Sequence, residues 1–137
     1  MIQVSGSRTE MRAVLPASLA AVEEFFLAFR RYATGRLPHP HCFLAELLAR
    51  EALNNAVIHG CKANPGKRVR CRLRLTPRYW TVTVEDEGEG FDWKSRGKAL
   101  PGSLATSGRG IAILRKYAVK VRFNKQGNAV TVTGKRN

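Results

Sequence analysis

Two neighbouring stretches of strict alternation do most to limit what this chain can become. From Arg68 to Thr76 every second residue is apolar: Val69, Cys71, Leu73 and Leu75. From Tyr79 to Asp86 the pattern repeats with Trp80, Val82 and Val84. A period of two places these side chains on one face of a strand, and Pro77-Arg78 between the runs reads as a hairpin turn. Such a hairpin buries one face and leaves the other to solvent, so the rest of the chain must cover the apolar side.

The cover is helical. Ser18 is a candidate N-cap for a helix over Leu19–Ala33, with Leu19, Val22, Phe25, Phe26 and Phe29 at helical spacing and Gly35 ending it. Leu37-Pro38-His39-Pro40 reads as a loop, because proline disfavours helix before it. A second helix is predicted over His41–His59, with Phe43, Leu44, Leu47, Leu48 and Ile58 as its buried stripe and Gly60 at its C-terminal cap. Met11–Leu15 is a short strand candidate. Val119–Asn124 and Ala129–Thr133 form a closing hairpin around Gly127-Asn128. Residues 87–107 hold five glycines or prolines and little periodicity, which reads as a mobile loop over a site, and Gly108–Tyr117 begins a third helix.

The resulting order predicts an α+β fold. It is a two-layer sandwich with helices on one face of a mixed, mostly antiparallel sheet, not a doubly wound parallel sheet. With 137 residues the chain is expected to form one domain over 1–137, its core spanning about 10–134. No apolar run reaches membrane-spanning length, and the N-terminus lacks the basic-then-apolar order of a secretion signal, so a cytoplasmic protein is expected. Cys42, Cys61 and Cys71 are an odd number at no ligand-like spacing and read as reduced structural thiols.

Several polar residues interrupt this apolar plan. Glu51 and Asn55 are four apart on a helix and share a face, and His59 follows one turn later. Adjacent asparagines, Asn54 and Asn55, are costly in a helix unless they serve a purpose. Counting back by two from Asp86 gives Val84, Val82 and Trp80, so this carboxylate points to the helix-covered side, where it needs a partner. Gly88 and Gly90 follow it and permit close backbone approach. Gly108-Arg109-Gly110 opens the third helix, whose free N–H groups suit a phosphate; Arg109 either adds charge there or faces outward.

The segments Glu51–Gly60, Asp86–Asp92 and Ser107–Ile111, in this order, resemble the N box and the two glycine boxes of the Bergerat-fold ATPases, a superfamily that includes the histidine kinases. The closest resemblance is to the anti-sigma factor serine/threonine-protein kinases of bacteria, and it covers roughly residues 10–134. It implies an ATP/ADP site with Mg2+. Asn55 would then bind the metal and Glu51 would act as general base. Asn54 would lie beside the site, and His59 would contact the helix end or a phosphate. Asp86 would accept the adenine amino hydrogen, with Gly88, Gly90 and Phe91 around the base. Ser107, Gly108, Arg109, Gly110 and Ile111 would form the phosphate box. Residues 88–107 would be the lid, with Lys94, Arg96 and Lys98 as its cations. Gly127-Asn128-Ala129-Val130 stands where the family has Gly-Thr-x-Val, so Asn128 replaces the threonine and a minor adenine-side contact is altered. The implied partners are an anti-anti-sigma (STAS-like) protein, phosphorylated on serine, and a sigma factor; members of that family often form homodimers.

Charge adds one more expectation. Lys and Arg number 24 against 10 Asp and Glu, a net +14. Arg68, Arg70, Arg72 and Arg74 share one strand face, and Lys120 and Arg122 continue the pattern. No acidic cross-strand partner is in view for them, so an acidic protein partner is expected. Nucleic acid is disfavoured because no aromatics interleave the stripe. The remaining alternatives are a nucleotide-controlled interaction module with little chemistry and the catalytic half of a histidine kinase acting in trans.

Overall fold

Alternation over residues 68–86 builds the middle of a six-stranded sheet. The computed structural model describes residues 2–88 and 112–136. In chain order the elements are β1 (Gln3–Gly6), β2 (Glu10–Pro16), α1 (Leu19–Ala33), α2 (His39–Asn55), a π-helical turn (Ala56–Gly60), β3 (Arg68–Leu75), β4 (Tyr79–Asp86), β5 (Lys120–Phe123) and β6 (Ala129–Lys135). Residues 112–117 are also helical. The sheet order is β1-β2-β3-β4-β6-β5, and every described pairing is antiparallel. The expected α+β sheet with helices on one face is therefore present, without the parallel component. No described helix is long and apolar enough to cross a membrane.

α1 has the predicted bounds. Ser18 caps it, its Oγ accepting the Ala21 N–H at 3.1 Å. Val22, Phe25, Phe26 and Phe29 are buried, while Leu19 is exposed. The three phenylalanines meet edge to face or tilted, with Phe25–Phe26 and Phe26–Phe29 centroids at 5.0 and 5.4 Å. Arg50 of α2 lies over the Phe26 ring and pairs with Glu23, and Arg30 grips Glu46 through two nitrogens, so charge pins the two helices together at their outer edge.

α2 corrects the sequence expectation at three points. It begins at His39, not His41, because Pro40 falls in the first turn, where a missing N–H costs nothing. Its buried face keeps Leu48 of the expected stripe, with Leu44 packed against the core, but Phe43 and Ile58 are exposed and Ala45, Ala49, Ala52 and Leu53 complete the core side. Small residues there let the helix approach the sheet closely. Third, the helix widens after Asn55 into the π turn, where the Cys61 N–H reaches the Ala56 carbonyl at 2.8 Å.

Lys62 and Ala63 then take φ of 53° and 56°, the left-handed region, before the chain turns into β3. For alanine that conformation costs roughly 1–2 kcal/mol. Ala63→Gly is expected to raise the urea midpoint at unchanged slope, a gain of up to about 1 kcal/mol after the added chain entropy of glycine.

β1 was not foreseen. Its four residues are polar or exposed, and only pairing with β2 makes them a strand. Cys42, Cys61 and Cys71 are free thiols, and burial pushes Cys71 up to about 12.

Candidate nucleotide site

Asp86 ends β4 and turns its carboxylate inward, with 6% of its surface exposed. Its Oδ1 accepts the Gly88 N–H at 2.7 Å. Burial raises its carboxyl pKa, and the Gly88 hydrogen bond opposes that rise. Its backbone is clasped from β6: the Asp86 N–H donates to the Asn128 carbonyl at 2.9 Å, and Asn128 Nδ2 donates to the Asp86 carbonyl at 3.3 Å. Gly60, closing the π turn, lies directly against the carboxylate. A Cβ on Gly60 would sit 2.4 Å from Asp86 Oδ2, and one on Gly88 would sit 1.8 Å from the Gly60 carbonyl oxygen. Gly60 is thus required by this contact, not by the helix cap expected of it. The neighbouring Cys61 thiol is raised in turn, by burial first and by the Asp86 charge second.

Glu51 and Asn55 come from the last turns of α2, one helical turn apart. Asn55 is 9% exposed, and its Nδ2 is fully shielded without a hydrogen-bond partner. An amide so placed carries a desolvation cost of about 1–3 kcal/mol that nothing in the described fold returns. Glu51 is half-buried, and burial raises its carboxyl pKa against the opposing charge of Arg50. Asn54 beside them is half-buried. His59 is half-buried within the π turn that follows Asn55.

Asn55 and Asp86 line one cleft. Its other described walls include Ala52, Val84, Phe123 and Asn128, and its volume is about 10 Å³, room for one water. The larger hollows, about 410 and 440 Å³, lie on the opposite sheet face and between α1 and α2, away from every one of these residues. Among the described residues no group of three His, Cys, Asp or Glu could cage a metal ion. Asn55 Nδ2, the shielded amide nitrogen on α2, has no hydrogen-bond partner among the described residues.

Gly90, Phe91, Ser107, Gly108, Arg109, Gly110 and Ile111 lie outside the described residues, as do Lys94, Arg96 and Lys98. One residue escaped sequence reading. Asn124 Oδ1 accepts the N–H groups of Gly127, Asn128 and Ala129 at 2.7, 3.0 and 3.2 Å, and its Nδ2 donates to Asn128 Oδ1 at 2.5 Å. It therefore sets the position of Asn128. An asparagine opening a turn that contains Gly127 was the available signal.

No curated protein matches the chain. A family model described as the histidine kinase-like ATPase domain matches residues 15–133, which takes in β3, β4 and β5 whole, the last two residues of β2 and all but the last two of β6. Nucleotide binding goes with that domain. By fold and by this match, the chain belongs to the histidine kinase-like ATPase domain family.

Proposed function

We propose that this protein is an ATP-dependent serine/threonine kinase of the anti-sigma type, which phosphorylates an anti-anti-sigma (STAS-like) protein and restrains a sigma factor. The observation that carries the reading is the placement of the buried Asn55 amide, its nitrogen without a hydrogen-bond partner, in one cleft with Asp86 and one turn from a half-buried Glu51. Asp86 accepts a hydrogen bond from the adenine amino group. Asn55 would hold Mg2+ through its amide oxygen, and the ion would supply neutralisation of phosphate charge. Glu51 takes the proton of the acceptor serine as its oxygen bonds to the γ-phosphorus and the bond to the β-phosphate oxygen breaks, releasing ADP. Burial moves the Glu51 carboxyl toward the working pH, which suits a general base.

A nucleotide-controlled interaction module is the second reading. The nearly closed cleft favours it, since a ligand that must part Phe123 and Asn128 from Asn55 couples binding to a change of shape.

Radiolabelled γ-phosphate transfer to purified anti-anti-sigma proteins separates the two. Glu51→Gln is expected to slow transfer roughly 10²–10⁴-fold while ATP affinity stays within about a factor of two. ATP binding with no labelled serine, or an undiminished rate in Glu51→Gln, would remove the kinase reading and leave the module.

A further inference from the structure

The sheet has a second face, and no described element packs on it. Its side chains fall in rows across the strands. One row runs Arg12, Arg72, Thr83, Thr131, Arg122 from β2 to β5. The next runs Arg74, Thr81, Thr133, Lys120 from β3 to β5. Threonines therefore floor the two strands in the middle, and their hydroxyls meet, Thr83 Oγ1 to Thr131 Oγ1 at 3.4 Å. Basic banks stand on either side, β2 and β3 on one and β5 on the other. At one strand spacing per step, β3 and β5 lie about 14 Å apart. An α-helix with its side chains is about 10–12 Å wide.

The banks are not self-neutralised. Two carboxylates do reach them, contrary to the expectation of none: Glu10 contacts Arg12 at 2.8 Å and Arg72 at 3.5 Å, and Glu85 contacts Arg70 at 3.5 Å. Arg12 and Arg70 are largely exposed, so these pairs are solvated and exchange readily. Arg74, Lys120 and Arg122 have no ion pair among the described residues. A hollow of about 410 Å³ opens beside Arg12, Arg70, Arg72 and Thr83.

We infer that this trough docks an acidic helix of a protein partner, with carboxylates on both flanks of the helix and small residues against the threonine floor. The chemistry argues against two other occupants. A nucleic acid strand would find a single aromatic on this face, Tyr79 at the end of β4, and none between the two basic banks. A second copy of this chain presenting the same face would bring basic rows against basic rows. The inference is independent of the nucleotide site, which lies on the other face.

The test uses the full chain, isotope-labelled, and a synthetic helical peptide bearing glutamates along two flanks and alanines between them. Peptide addition is expected to shift the amide signals of Thr81, Thr83, Thr131 and Arg122. Replacing the glutamates by glutamine, or the protein's Arg72 and Arg122 by serine, should weaken binding at least about tenfold, with ATP affinity unchanged. Arg72→Glu with Arg122→Glu should instead bind a lysine-flanked version of the peptide. Equal binding of glutamate and glutamine peptides, or shifts confined to other surfaces, overturns the inference. So does tighter binding of oligothymidylate to the same strands, or self-association through them.

Discussion

Asp86→Asn is expected to weaken ATP binding on the order of 10–100-fold, the worth of a charge-assisted hydrogen bond, and to erase discrimination between ATP and GTP. The side chain keeps its size and can still accept the Gly88 N–H, so the loss reports the acceptor presented to adenine. The apo fold should respond in the opposite direction. Burial raises the Asp86 carboxyl pKa, so its ionised form is disfavoured in the folded state. A carboxyl of that kind contributes most to stability below its unfolded pKa, and the contribution is lost as pH rises through the folded value. Near neutral pH the asparagine variant should therefore melt no lower than wild type. Its advantage should shrink as pH falls through the folded pKa of Asp86. ATP affinity of the wild type should fall over the same interval, beginning above the ordinary aspartate range, because a protonated carboxyl is a poorer acceptor. Calorimetry and thermal melts across pH read both slopes; parallel slopes would remove Asp86 from the adenine contact.

Gly134→Ala is expected to give a large loss of stability. Gly134 on β6 faces Trp80 on β4, and a Cβ there would lie 2.1 Å from the indole ring. Trp80 is fully buried, and its Nε1 has no hydrogen-bond partner, so the ring has no polar tether to break and no space to enter. Overpacking of this kind costs about 1–3 kcal/mol or more. For a chain of this size 1–3 kcal/mol is roughly 3–10 °C in melting temperature. The indole atoms in conflict are absent from phenylalanine, so Trp80→Phe should recover part of the loss, and the two changes together should cost less than their sum. Additive losses would show that Gly134 acts through its backbone and not through this contact.

What could be read from the chain was whatever repeats locally. The β3–β4 hairpin, the bounds and cap of α1 and the inward aim of Asp86 all follow from counting residues at a known period. The unread features depend on contacts between distant residues. Nothing local in Ala56–Gly60 announces a π turn, and nothing in Gly60 or Gly134 announces Asp86 or Trp80 as a neighbour. The carboxylates that meet the arginine stripe needed the β2–β3 and β3–β4 registers, which place Glu10 opposite Arg74 and Glu85 opposite Arg70. On α2 bulk alone is a poor guide: Leu48 is buried as expected, but Phe43 is exposed and Ala45, Ala49 and Ala52 are buried instead.

The strand order also dictates when the molecule is finished. As the chain leaves the ribosome, β2, β3 and β4 can pair at once, but the partner of β4 on its other side is β6, made well after it. Until then Trp80, Val82 and Val84 belong to an unpaired edge, and the Asp86 backbone lacks Asn128. Non-local pairing of this kind slows folding and leaves the incomplete sheet open to misassociation. A nascent chain or proteolytic fragment stopping after Asp86 would therefore be both sticky and blind to nucleotide, so that arrival of β6 completes solubility and ligand recognition in the same step.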